Sequence, residues 1–150
     1  MTTTLNTVKD AIEKLIAGLT PTGLPLSQRK FVRASAYTDW RGRPLSDIDR
    51  RFTVQMSPDG GWKSFGTLTE HEATSRLTVT IGHVKGQEIE DTQDRRDTDL
   101  RKIALELQDP ANRPTGVWRI ASEPPVTTVD LDKWWESTLK FSVTFAEANP

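Results

Sequence analysis

Residues Asp97 to Asp109 read DTDLRKIALELQD, and the reading of this stretch decides the fold. Leu100, Ile103, Ala104 and Leu107 recur at i, i+3, i+4 and i+7, the spacing of one face of an α-helix. Asp97 and Asp99 stand where they would cap and favour its N-terminal end, and Pro110 follows its last turn. Strand-like segments lie on both sides: Arg76 to Gly82 before it, Val117 to Ala121 and Thr138 to Phe145 after it. A helix with a single apolar stripe needs an apolar surface to cover, and these strands offer one. The expected architecture is α+β: a small, mostly antiparallel sheet of about four strands packed by two helices, with a long irregular segment and an extended arm.

Working outward, Leu5, Val8, Ile12, Leu15, Ile16 and Leu19 make a second helical stripe, with Thr3 or Thr4 as the N-cap and Pro21 as the stop. Arg51 to Ser57 and Thr74 to Gly82 alternate apolar with polar residues and are expected to pair antiparallel across a turn at Pro58-Asp59-Gly60-Gly61. Lys85 to Asp99 is charge-dense and poor in apolar residues, which predicts a solvated or partner-ordered loop. Pro124-Pro125 is expected to break the strand that starts at Val117, leaving residues 124 to 137 as an arm that carries Trp134 and Trp135. Residues Glu147 to Pro150 read as a free tail.

A chain of 150 residues suggests one domain over residues 1 to 150, long enough for a real core. Hydrophobic residues make up 35% and charged residues 27%, the balance of an ordinary soluble globular domain. A net charge of −1 gives no global field for nucleic acid or membrane. The absence of cysteine rules out disulfides, thiol catalysis and thiolate metal sites. No apolar run approaches the roughly 18 residues of a transmembrane helix. The opening MTTTLNTVKDAIEK has neither a basic n-region nor a continuous apolar h-region, so a cytosolic protein without a signal peptide is the expectation.

Reactive constellations are hard to find. His71-Glu72 begins like H-E-x-x-H, but Ser75 stands where the second histidine belongs, and His83 lies twelve residues from His71. Hydrogen-bonded or solvent-facing histidines are the better reading. Gly60-Gly61-Trp62-Lys63-Ser64 has the materials of a phosphate loop without its spacing, and reads as a hairpin turn. Glu88, Glu90 and Asp91 could offer hard oxygen ligands, but Arg95 and Arg96 in the same stretch oppose a cation. No G-x-S-x-G elbow is present. Neither an enzyme, a cofactor nor a metal is expected. Residues 27 to 51 hold seven Arg and Lys against three Asp, with Phe31, Tyr37 and Trp40 interleaved. This is the pattern of a nonspecific, salt-sensitive phosphate contact or of a charged surface loop. The five tryptophans favour interfaces.

In order and pattern the chain resembles the tail terminator proteins of long-tailed bacteriophages. The likeness is carried by TLNTVKDAIEKLIAGL at 4–19, the paired strands RRFTVQM and SRLTVTIGH, the helix DTDLRKIALELQD, the strand GVWRIAS and the last strand STLKFSVTFAE. The resemblance implies a structural virion protein, assembled in the host cytoplasm and located in the neck region of the tail. It implies a homo-hexameric ring that caps the tail tube, stops polymerisation of the tube protein and joins it to head–tail connector or neck proteins. DNA would pass through the lumen without sequence specificity, and no membrane is involved. Related neck and head completion proteins share the small α+β plan. Within this reading Arg95, Arg96, Asp97, Trp134 and Trp135 are the expected subunit or tube contacts, and Arg41 and Arg43 the expected DNA-facing cations. For Trp134 and Trp135, covering one sheet edge is the competing expectation. From other classes, residues 29 to 51 could serve a small nucleic-acid-binding module, and Glu88, Glu90 and Asp91 a metal-dependent enzyme.

Overall fold

The computed structural model describes residues 4–21, 30–34, 44–64 and 70–148. In chain order the elements are α1 (Leu5–Gly18), β1 (Val32–Arg33), α2 (Leu45–Ile48), β2 (Arg51–Ser64), β3 (Glu70–Val84), α3 (Ile89–Gln108), a 3-10 turn at Pro110–Asn112, β4 (Val117–Asp130) and β5 (Trp134–Ala148). The five strands form one sheet in the order β1-β2-β3-β5-β4. Only the β1–β2 pair is parallel; β2–β3, β3–β5 and β4–β5 are antiparallel. The α+β class is therefore as expected, with one strand and one short helix more than the periodicity had indicated.

One face of the sheet is apolar because alternate residues point the same way. Phe52 and Val54, then Leu77, Val79 and Ile81, then Leu139, Phe141, Val143 and Phe145 meet Val8, Ile12 and Ile16 of α1 and Leu100, Ile103 and Leu107 of α3 in one buried core. Thr4 caps α1 in a reciprocal box: its side chain accepts from the Thr7 N–H at 3.3 Å, and Thr7 Oγ1 accepts from the Thr4 N–H at 2.8 Å. A smaller cluster gathers Ile48 and Trp134 with Ala34, Val84 and Leu131.

Five local expectations are corrected. The charged stretch after Lys85 is not a loop: α3 starts at Ile89, eight residues before Asp97. Thr92, Arg95 and Asp99 are buried and continue the stripe of Ile103 and Leu107 at helical spacing, so the inward face is polar at its beginning and apolar at its end. Asp97 and Asp99 therefore sit inside the helix, while Glu90 and Asp91 occupy the first turn, where carboxylates suit the helix dipole. Pro58 to Gly61 does not end β2; the ladder to β3 shifts register there and continues to Ser64. The arm is a hairpin limb: β4 runs on to Asp130 through an irregularity between Glu123 and Thr127 that contains the cis Pro124-Pro125 bond. Proline is tolerated because β4 is an edge strand among the described residues, whose outer side forms no ladder with them. Finally, Glu147 and Ala148 are not a tail but pair with His71 and Glu70.

Candidate functional site: a buried charge cluster and an exposed sheet edge

Arg50 takes φ 57°, unusual for a residue with a side chain, at the corner between α2 and β2. Its N–H donates to Gly82 O at 2.8 Å, and the Val32 N–H donates to its carbonyl at 2.9 Å. This backbone turns the guanidinium inward, where Nε donates to Asp99 Oδ2 at 2.8 Å and Nη2 to Asp99 Oδ1 at 3.3 Å. His83, at the end of β3, meets Asp99 Oδ2 through Nε2 at 2.8 Å. A carboxylate only accepts, so Nε2 carries the proton. One helical turn earlier, Arg95 Nη2 donates to Asp49 Oδ1 at 3.1 Å and to Val84 O at 3.2 Å, and the Val84 N–H donates to that same Asp49 oxygen at 3.0 Å.

Asp99 and His83 have no exposed surface, and Arg50 and Arg95 retain 2% each. Two guanidinium and two carboxylate groups balance in charge, which makes burial tolerable. The cluster fastens α3 to the end of β3 and to the α2–β2 corner. A substrate has no route to atoms without exposure, so its chemistry is that of a clamp. Three further polar atoms here, His83 Nδ1 and Nε and Nη1 of Arg95, are buried without a hydrogen-bond partner among the described residues.

Beside the clamp, Trp135 is buried with the Arg96 guanidinium 4.7 Å and the Lys85 ammonium 5.2 Å from its ring centroid. Arg96 Nε also donates to Asp97 Oδ1 at 3.0 Å. Lys85 donates to Asp130 Oδ1 at 2.6 Å, and the Asp132 N–H donates to the same oxygen at 3.0 Å. The Lys85 hydrogen bond first, and the Asp132 N–H after it, hold the Asp130 carboxyl below its ordinary value of 3.8. A lowered carboxyl contributes stability that is present above its unfolded-state value and is lost as pH falls through the folded-state value, so this contact weakens only below about pH 3.8. Carboxyl NMR titration is expected to place the Asp130 midpoint below 3.8, and Lys85→Met to return it toward that value. An unchanged midpoint in the variant would contradict the assignment.

The expected contact residues are thus brought together in part. Arg96, Asp97 and Trp135 share one corner, and Arg95 and Trp134 lie in adjoining interior sites. Within the single chain Arg95 keeps 2% of its surface and Trp134 and Trp135 4% each. Asp97 is exposed. Arg41 and Arg43 lie outside the described residues. The basic segment is not a uniform surface patch, because Arg50 is buried in the clamp and Arg33 pairs with the buried Glu13. His71 is hydrogen-bonded, with Nε2 3.1 Å from Glu147 Oε1. Among the described residues, no three His, Cys, Asp or Glu side chains converge as metal ligands, and no helix is long and apolar enough to cross a membrane.

A scan of protein-family profiles and a search of curated proteins return no match to the chain.

Among the described residues the large apolar residues that remain outside are Val32, Leu45, Ile89, Leu105, Trp118, Val126 and Val129, of which Val32 lies in the basic segment and Val126 and Val129 in the arm. For β4 a signal was present. Val126 and Val129 flank Thr127 and Thr128 in a β-prone run, and the prolines before them suit an edge. All residues from Pro124 to Asp130 are exposed.

Proposed function

We propose that this chain is a structural ring subunit of the tail terminator kind, capping a phage tail tube, stopping its polymerisation and joining it to the head connector. The observation that carries this reading is the edge of β4, where Val126 and Val129 are 49% and 54% exposed on a strand whose outer side is unpaired among the described residues. An exposed apolar edge is a template for another chain, and proteins that stay single usually blunt it. Supporting it, the buried ionic groups act as a clamp that presents α3 and the sheet as one rigid unit, and rigid units keep the geometry that repeated assembly needs. The order of elements also follows the pattern quoted above for tail terminator proteins.

The test is polymerisation of the cognate tube protein, followed by light scattering. Substoichiometric amounts of this chain are expected to stop growth at a plateau set by the ratio of the two proteins. Growth that proceeds to the same final signal with and without the chain contradicts the reading.

A further inference from the structure

Among the described residues the sheet has two unpaired edges, β1 and the 126–130 strip of β4, and they match each other in direction, phase, face and charge. β1 runs parallel to β2, and three antiparallel pairings separate β2 from β4, so β1 and β4 run in opposite directions. A β4 edge meeting the β1 edge of another copy therefore forms an antiparallel pair.

The hydrogen-bond phase is also set. The Leu131 N–H donates to Trp134 O at 2.9 Å, so alternation along the ladder turns Val129 and Thr127 toward β5 and leaves the backbone groups of Thr128 and Asp130 facing out. On β1, the N–H groups of Val32 and Ala34 donate to Arg50 O and Phe52 O, so those of Phe31 and Arg33 face out. Outward groups must oppose outward groups. Placing Arg33 opposite Thr128 satisfies this, sets Phe31 opposite Asp130 and Val32 opposite Val129, and keeps the helix-covered face continuous between copies.

From this we infer that copies of this chain join edge to edge, β1 of one against residues 126–130 of β4 of the next, in that register. Val32 and Val129, 41% and 54% exposed, then cover each other as a cross-strand apolar pair. Arg33 comes diagonal to Asp130, cation to carboxylate, and both side chains are more than half exposed in the single chain. The register has one more property. Arg33, Phe52, Ile81, Ser137 and Thr128 form one continuous row across the sheet. Pairing Arg33 with Thr128 of the next copy continues that row without a step. A head-to-tail contact builds a closed ring or an open filament, and a level row favours closure over climbing. The contact deepens the proposed function and rests on it for the closed ring; the edge pairing itself stands on the geometry alone.

The chain has no cysteine, which allows a direct test. Val32 and Val129 would form a non-hydrogen-bonded pair with Cα atoms about 4.5 Å apart, close enough for a disulfide. The double variant Val32→Cys/Val129→Cys is expected to give intermolecular covalent oligomers under mild oxidation. They should form on the order of tenfold faster than with Val32→Cys/Thr128→Cys, whose cysteines fall on opposite faces in this register. Thr128 is exposed like Val129, so random collision would link both variants alike. Equal rates overturn the proposal. Selective linking by a protein that leaves tube growth unaffected keeps the edge contact and removes the terminator reading. Rings on tube ends together with equal linking rates do the reverse.

Discussion

Replacement of Asp99 by alanine is expected to cost about 3–5 kcal/mol of folding stability, because it leaves a buried cation without its counter-charge. Arg50 and His83 both direct nitrogen atoms at this carboxylate at 2.8 Å, and with 2% and 0% of their surface exposed they have almost no water to replace it. For a chain of this length the loss corresponds to a fall in Tm on the order of 10 °C. Asp99→Asn keeps the shape and one acceptor and is expected to lose less. Replacing Arg50 and Asp99 together by Met and Leu removes both charges, and should recover part of what the single substitution loses. Urea unfolding of the three variants measures the series. A cost below about 1 kcal/mol for Asp99→Ala would show that the clamp contributes little.

The second large effect concerns Trp135. Its substitution by alanine is expected to destabilise the isolated chain by about 3–5 kcal/mol, the usual range for a buried aromatic. Trp135 is 4% exposed and lies against both Lys85 and Arg96, so its loss opens a void and removes two cation–π contacts. An interface residue behaves differently: the single chain would keep its stability and only assembly would suffer. Denaturant unfolding at a concentration where the chain is monomeric separates the two. An unchanged midpoint there would return Trp135 to the surface and contradict the packing described.

These two sites also show what was legible in the sequence. The apolar half of α3 was, because Leu100, Ile103 and Leu107 repeat at helical spacing. Its first half was not, because Thr92, Arg95 and Asp99 fill the inward positions and a count of apolar residues is blind to a polar stripe. The partners that make those positions inward are distant in sequence. Arg50 lies 49 residues from Asp99, and nothing local announces the contact. The same limit explains Trp134 and Trp135. Tryptophan is enriched at interfaces and in interiors alike, and the packing of Lys85 and Arg96 over the Trp135 ring has no local signal in the sequence. The antiparallel pairing of β2 with β3 was legible from alternation, whereas the length of β4 was hidden by Pro124 and Pro125. A proline pair ends an inner strand, but at an edge it removes donors that have no partner within the chain. Recognising the edge first requires the strand order.

Arg95 and Arg96 thus have partners within the chain, and the edges proposed for assembly are those of β1 and β4. The β4 and β1 edges proposed as contacts lie within the arm, residues 124 to 137, and the basic segment, residues 27 to 51. Negative-stain electron microscopy of this chain mixed with its cognate tube protein tests the account most directly. The account predicts rings seated at one end of tubes that have stopped growing. Tubes of unrestricted length with bare ends, and no ring in any field, would contradict it.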